Sequence, residues 1–339
     1  MSNKNIYTLG IESSCDDTAA AILLNNSVLS NVISSQDIHK IYGGVVPELA
    51  SREHQKLITS IVHESIIQAG IDKNQLNVVA FTRGPGLLGS LLVGTSFAKS
   101  LSIALNIPLV EVNHMHAHIL SIFIKNNGRN PKFPFLALTV SGGHTQLVVV
   151  NDYFKMEEIG STLDDAVGEA FDKSGKTIGL NYPSGPLIDE LSKKGNPNAF
   201  KFTKPKVEGL NFSFSGLKTG FMNFINKESL KNRNFIKENI HDICASIQNT
   251  IVQILIDKLT DAVKFTDIKD IVVCGGVSAN SELREKMKNL SELNKWNVYF
   301  PKIEYCTDNA AMIGIVGYLK YKDQKVSDLS CSSTSRYKI

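Results

Sequence analysis

Two apolar runs, residues 6–11 and 19–24, flank a short polar stretch at residues 12–17, and this spacing predicts a β-hairpin. The same pattern returns at residues 135–140 and 146–150 around Ser141-Gly-Gly-His144, so the chain reads as one unit used twice. Each hinge is small and polar, which lets the N–H groups of the turn face an anion. Between the hairpins the pattern predicts an amphipathic helix over 46–69, a buried-type strand at 78–82, a helix over 87–105 and a strand at 109–112. After the second hairpin it predicts a helix over 163–178, a Gly/Pro turn at 182–186 and a helix from Leu187. A helix over 241–263, a strand at 271–274 and a helix from near Ala279 follow. Residues 193–209, rich in Lys, Pro and Asn, read as a linker or insertion, and the Ser- and Lys-rich residues 322–339 as a mobile tail.

Strands alternating with helices place the chain in the α/β class, and a hairpin opening each half separates it from a purely parallel doubly wound sheet. The expectation is a duplicated ribonuclease-H-like fold in two lobes, which suits 339 residues at 42% hydrophobic content. A net charge of +3 gives no global field for nucleic acid, so such contact needs a local patch. Lys201, Lys204 and Lys206, interleaved with Phe200 and Phe202, are the candidates, a solvated linker being the plainer reading. Five scattered cysteines without a Cys-x-x-Cys pair argue against a disulfide framework and a structural zinc site. Residues 1–5 lead straight into the first strand with no signal-peptide apolar region, and no later run approaches spanning length, so the expected location is the cytoplasm, away from any membrane.

Candidate chemistry starts at His114-Met-His-Ala-His118, which follows a strand. On a helix the i,i+4 spacing sets His114 and His118 on one face, suited to two imidazoles on one metal, with His116 pointing elsewhere. Met115 stands where a zinc protease needs its Glu, which excludes that activity. Asp308, at the start of a helix, supplies a third donor; otherwise it is a first-turn carboxylate favoured by the helix dipole. Two histidines and one carboxylate suit Fe(II) or Zn(II). Val140-Ser-Gly-Gly-His-Thr145 and Cys274-Gly-Gly-Val-Ser-Ala-Asn280 each put paired glycines after a strand, where a ligand can approach the backbone; a tight turn and a helix cap are the plainer readings. Asp172, in the acidic segment 164–172, is placed to accept from a ribose hydroxyl, and Asp16 in the first hinge to face phosphates through a cation or water. Gly84-Pro-Gly-Leu-Leu-Gly89 imitates a dinucleotide fingerprint, but its proline and its place in the chain make it a tight turn that starts a helix.

Eight motifs in order now identify a resemblance: Gly10-Ile-Glu-Ser-Ser-Cys-Asp-Asp-Thr18, Gly44-Val-Val-Pro-Glu-Leu-Ala-Ser-Arg-Glu-His54, Thr82-Arg-Gly-Pro-Gly-Leu-Leu88, Val140-Ser-Gly-Gly-His-Thr-Gln146, Gly168-Glu-Ala-Phe-Asp-Lys173, Phe212-Ser-Phe-Ser-Gly-Leu-Lys-Thr219, Gly275-Gly-Val-Ser-Ala-Asn280 and Cys306-Thr-Asp-Asn309. From about residue 6 to about residue 320 the chain resembles the TsaD family. The resemblance implies an actin/Hsp70-like (ASKHA) fold with a nucleotide cleft between two lobes. Residues 1–133 would form the first lobe, with the metal histidines and the partner-binding surface, 134–325 the second, with the nucleotide site, and 326–339 a flexible tail. It implies transfer of threonylcarbamoyl from threonylcarbamoyl-AMP to N6 of adenosine 37 in tRNAs that read codons beginning with adenine, releasing AMP.

By carry-over, His114, His118 and Asp308 hold one iron(II) per subunit, zinc(II) being the other candidate. Thr139, Val140, Ser141, Gly142, Gly143, Asp172, Gly185, Asp189 and Asn280 contact the adenylate, and Asp16 sits at the reacting phosphate. The implied partners are a paralogous subunit (TsaB), a small ATPase (TsaE), the adenylate-forming synthase (TsaC/Sua5) and tRNA. The chain departs from the family's usual His-x-Glu-Gly-His at His116 and Ala117, which puts an orienting carboxylate in question, and residues 125–132 read as a loop extension. A kinase of the same fold and a non-catalytic scaffold are the rival readings; the paired histidines argue against the first and the intact trio against the second.

Overall fold

The structure, a computed structural model, describes residues 5–125 and 128–339. Residues 1–4 of the expected leaderless start and Asn126 and Asn127 of the expected loop extension lie outside the described residues. The chain forms two compact units, one of Met1–Asn130 with Asp308–Ile339 and the other of Pro131–Thr307.

The first unit opens with β1 (Tyr7–Glu12), β2 (Asp17–Leu24) and β3 (Ser27–Ser35), a short α1 (Ile38–Tyr42) and the long α2 (Pro47–Gln68). It continues through β4 (Val78–Gly84), α3 (Leu88–Leu105), β5 (Leu109–Asn113) and α4 (His114–Leu120). The sheet order is β3-β2-β1-β4-β5, with β1 antiparallel to β2 and parallel to β4. Period-two alternation sorts β1 between two layers. Leu9 and Ile11 join Phe81, Ile58, Val62 and Ala98 in one core. Gly10 instead faces backbone that arrives from the far end of the chain.

The second unit repeats the plan. It contains β6 (Phe135–Val140), β7 (Thr145–Asp152), β8 (Lys155–Ser161), α5 (Val167–Thr177), α6 (Gly185–Ser192), α7 (Ser215–Lys231) and α8 (Phe235–Thr266). Then come β9 (Asp270–Cys274), α9 (Ser281–Asn294) and β10 (Asn297–Tyr299). The order β10-β9-β6-β7-β8, with β6 antiparallel to β7 and parallel to β9, is the first sheet again. The predicted duplication is therefore present, each copy with a third meander strand that the apolar pattern did not reveal. β3 and β8 are mostly half-exposed edge strands, so their alternation is too polar to stand out. The helix expected over 241–263 is longer, Phe235–Thr266, and that expected from 163 begins at Val167.

Three expectations are corrected. Residues 193–209 are not a free linker: Phe200 packs 5.2 Å from Phe224 and 5.7 Å from Phe235, and Phe202 5.2 Å from Phe221. Both rings are half-buried against the core of the second unit, which uses them in packing, and Lys204 pairs with Asp257 at 2.6 Å. Second, α3 is apolar enough along 18 residues to pass as a spanning helix, against the expectation that no run would; Ser90, Leu91, Gly94, Thr95, Ala98 and Ser102 on it are buried within the unit.

Third, the boundary at 325 moves. From Asp308 the chain returns to the first unit, and α10 (Ala310–Lys322) packs on β1, β2 and β4. Small residues set that approach: a Cβ on Gly10 would lie 2.3 Å from the Ala310 carbonyl oxygen, and one on Gly317 2.3 Å from the Ala80 Cβ. Nor are residues 326–339 loose; Thr334 N–H donates to the Arg83 carbonyl at 3.0 Å and Ser327 N–H to the Leu109 carbonyl at 2.8 Å. Gly10→Ala is expected to cost on the order of 3 kcal/mol, because the opposing atoms are backbone and cannot rotate away. A urea titration that matched wild type would show that α10 can slide.

Candidate active site

In the first unit, β5 runs straight into α4, and Asn113 makes the junction. Its Oδ1 accepts from Met115 N–H at 2.8 Å and His116 N–H at 3.2 Å, which caps the helix. His114 and His118 stand one turn apart with ring centroids 4.7 Å apart and planes at 89°. Asp308 joins them: its Oδ1 lies 3.1 Å from His118 Nε2 and 3.5 Å from His114 Nε2. The donor atoms of the three residues all fall within 4.8 Å of one another.

The other side of His114 shows how this geometry is held. Its Nδ1 lies 3.1 Å from Glu12 Oε2, and Glu12 is 1% exposed. Thr82 Oγ1 donates to the same Oε2 at 2.6 Å, and Ser14 N–H to Oε1 at 2.5 Å. An ionised carboxylate only accepts, so His114 donates from Nδ1 to Glu12 and turns its Nε2 toward Asp308 and His118. Burial raises Glu12, but His114 outweighs it and holds the carboxyl below its ordinary value. Burial likewise opposes charge on His114, yet Glu12 and then Asp308 hold it well above the ordinary imidazole value. Two imidazoles converging on one carboxylate, one ring oriented from behind by a second carboxylate, is a donor set that fits Fe(II) or Zn(II).

Glu12 was missed as a site residue, although the signal was present: a lone carboxylate directly after the buried run Leu9-Gly-Ile11. It also answers the departure at His116 and Ala117. His116 points away from the other two histidines; its Nε2 is buried without a partner, and burial, then Lys320, pushes its pKa down to about 4. The carboxylate that touches His114 comes from β1.

Asp16 lies in the hinge between β1 and β2, where its carbonyl accepts from Gln36 N–H at 3.3 Å. Burial and then the Asp16 charge push the neighbouring Cys15 thiol far up, so it is not a thiolate nucleophile. Burial also lifts Asp17 to about 7, with Asp308, Asp16 and Glu12 adding to the rise, so this hinge is crowded with negative charge. His54 braces it from α2: Nδ1 is 2.7 Å from Thr18 Oγ1 and Nε2 2.9 Å from the Cys15 carbonyl oxygen. The Gly84–Gly89 turn packs against the same hinge, since a Cβ on Gly86 would meet the Ser14 carbonyl at 2.5 Å.

In the second unit the paired-glycine turns end two neighbouring parallel strands, β6 and β9. A Cβ on Gly142 or Gly143 would meet only open space. The α5 N-terminus closes on this turn, with Gly168 N–H donating to the Ser141 carbonyl at 3.1 Å. Thr139 and Val140 are 0% exposed inside β6 and Ser141 is buried, so Gly142 and Gly143 are what the turn presents. Asp172 accepts the Ser184 N–H at 2.7 Å and also holds the Gly185 N–H, tying α5 to the start of α6. Asp189 accepts from Ser281 Oγ at 2.7 Å and Asn280 Nδ2 at 3.2 Å; Asn280 caps α9 through Leu283 N–H at 3.0 Å and donates to Gln248 Oε1 at 2.7 Å. The plainer reading of Asn280, a helix cap, is thus its observed role. Asp172, Asp189 and Asn280 chiefly fix the helices around the glycine turns.

Two sheets of identical order, each opened by a hairpin with a polar turn, define a protein of the duplicated actin/Hsp70-like fold. Solved structures agree on the fold: HypF from T. kodakarensis superimposes with a TM-score of 0.61 at 14% identity over 94% of this chain and 48% of that one. Component A of the Acidaminococcus fermentans (R)-2-hydroxyglutaryl-CoA dehydratase gives 0.54 at 15% identity over 94% and 99%. The family model for tRNA N6-adenosine threonylcarbamoyltransferase matches residues 27–315. Proteins of that name from Christiangramia forsetii and Riemerella anatipestifer are 59% and 57% identical, over 100% and 99% of both chains. The chain belongs to the tRNA N6-adenosine threonylcarbamoyltransferase family and is a transferase of threonylcarbamoyladenosine modification of tRNA. That membership displaces the kinase and scaffold alternatives.

Glu12→Gln removes the charge that orients His114 and is expected to weaken Zn(II) binding roughly 10- to 100-fold, read by chelator competition; unchanged affinity would detach Glu12 from the centre. A second expectation concerns pH. Burial holds His54 below its ordinary 6.5, so the unfolded chain takes up a proton first as pH falls. Stability from the neutral ring is full above about pH 6.5 and is lost as pH drops through the lower folded-state value. Urea midpoints at about pH 7.5 and about pH 5.5 should therefore fall further for wild type than for His54→Gln.

Proposed function

We propose that this chain transfers the threonylcarbamoyl group from threonylcarbamoyl-AMP to N6 of adenosine 37 in tRNAs that read codons beginning with adenine, and releases AMP. The observation that carries the reading is the convergence of His114, His118 and Asp308, oriented by Glu12. Iron(II), or zinc(II) in its place, fits these donors and when bound supplies Lewis acidity toward a carbonyl or phosphate oxygen. The residues themselves do the rest. The N–H groups at Gly142 and Gly143 would receive the anionic adenylate, where an open turn favours negative charge. Asp172 and Asp189 keep the surrounding helices in place for it. Asp16 would order the phosphate side through a bridging cation or water, since its own charge repels the anion.

The expected partners are the paralogue TsaB, the ATPase TsaE and the synthase TsaC/Sua5 upstream, all in the cytoplasm. A helical partner is supported by the apolar side chains that α2 and α3 leave exposed, Ile67, Leu88, Leu92 and Ile103. The test is incorporation of labelled threonine into tRNA by the purified chain with these partners, bicarbonate and ATP. Label in N6-modified adenosine, lost in His118→Ala, is the expected result. An absence of label while the synthase makes the adenylate, and while a homologue works with the same partners, would overturn the reading.

A further inference from the structure

The closing segment, residues 327–339, makes a set of contacts that neither the glycine turns nor the metal donors account for. It crosses the first unit from β5 toward α3 and back. Ser327 Oγ accepts the Glu111 N–H at 2.8 Å, Lys99 Nζ donates to the Cys331 carbonyl, and Ser333 Oγ meets Thr95 Oγ1 at 2.6 Å. Arg83 is the central fastening. It binds Glu111 with Nη1 at 2.8 and 2.9 Å, donates from Nε to the Ser332 carbonyl at 2.8 Å, and lies 4.9 Å from the Tyr337 ring centroid. Tyr337 Oη in turn donates to Glu111 at 3.2 Å. Gly84 leaves room for the crossing: a Cβ there would stand 2.0 Å from the Thr334 carbonyl oxygen.

The segment ends on one residue of the site. Asn113 Nδ2 donates to the Lys338 carbonyl at 3.0 Å and to that of Tyr337 at 3.4 Å, while Asn113 Oδ1 caps α4. The Asn113 side chain, 3% exposed, is thereby gripped from both ends. Its amide plane thus links the closing segment to the first turn of α4, which carries His114. α4 is only seven residues long and gains little cooperative stability of its own, so its position depends on such external bonds.

We propose that residues 327–339 are a strap that positions the metal-ligand helix through Asn113, with Asn113 acting as a positioning residue for His114 and His118. The inference rests on the metal-centre reading above. In the full chain the strap holds the helix start, and with it the His114 Nε2 atom, in register with His118 and Asp308. Without it the cap can swing and the donor triangle widens.

The test compares the full chain, a chain lacking residues 331–339, and Asn113→Ser, which keeps an oxygen for the cap but loses the donor to the strap. Zn(II) affinity by chelator competition and amide hydrogen exchange at residues 115–118 are read for each. Both variants are expected to bind Zn(II) roughly 10-fold or more weakly and to exchange faster at 115–118. Folded variants with wild-type affinity and exchange overturn the strap. Should the shortened chain fail to fold, Asn113→Ser in the full chain decides alone. A full chain that takes up no Zn(II) overturns the metal-centre reading instead, and exchange at 115–118 unchanged in Asn113→Ser then overturns the strap as well.

Discussion

The first unit is organised around one buried carboxylate. Glu12 sits at the end of a central strand with no water to solvate it, and an ion in that position is tolerable only when it is paired and fully hydrogen-bonded. It takes its bonds from three places: Thr82 on β4, the Ser14 amide in the hinge, and His114 at the start of α4. Breaking a buried pair of this kind costs about 3–5 kcal/mol, because the surviving charge is stranded. The same bonds that stabilise Glu12 therefore hold the hinge, the neighbouring parallel strand and the helix that carries His114 and His118 in one geometry. Fold and site are served by a single interaction.

Around that centre the chain repeatedly uses backbone proximity where side chains would be too large. Gly10 and Gly317 bring α10 onto the sheet, Gly86 and Gly94 bring the α3 turn onto the hinge, and Gly168 brings α5 onto the second hinge. The Gly86, Gly94 and Gly168 contacts place a turn or a helix start beside a polar hinge. Gly10, Gly86 and Gly168 of this set lie in the motifs that carry the family resemblance. They are packing residues.

The second unit shows the complementary strategy. Asp172, Asp189 and Asn280 brace helix starts, α6 through Ser184 and Gly185 and α9 through Ser281 and Leu283, and Asn280 also reaches Gln248 on α8. A carboxylate at a helix N-terminus is electrostatically favoured whether or not a ligand arrives. These residues thus pre-set the frame in which the turn Ser141-Gly-Gly is presented, and a rigid frame lowers the ordering cost of binding.

The apolar pattern alone determined the α/β class, the duplication and both hinges, because buried strands and amphipathic helices carry their period in the chain itself. It also set His114 and His118 on one helix face, since that needs only the helical repeat. Membership of a family was legible from motifs, which are local by nature. Edge strands β3 and β8 escaped because half-exposed strands have little hydrophobic contrast. Glu12 as the partner of His114, the return of Asp308–Ile339 to the first unit, and the burial of Phe200 and Phe202 were decided only in three dimensions. Each joins residues from distant parts of the chain, and whether a carboxylate meets a histidine 102 positions away is settled by packing and by the need to pair a buried charge, which no local pattern records.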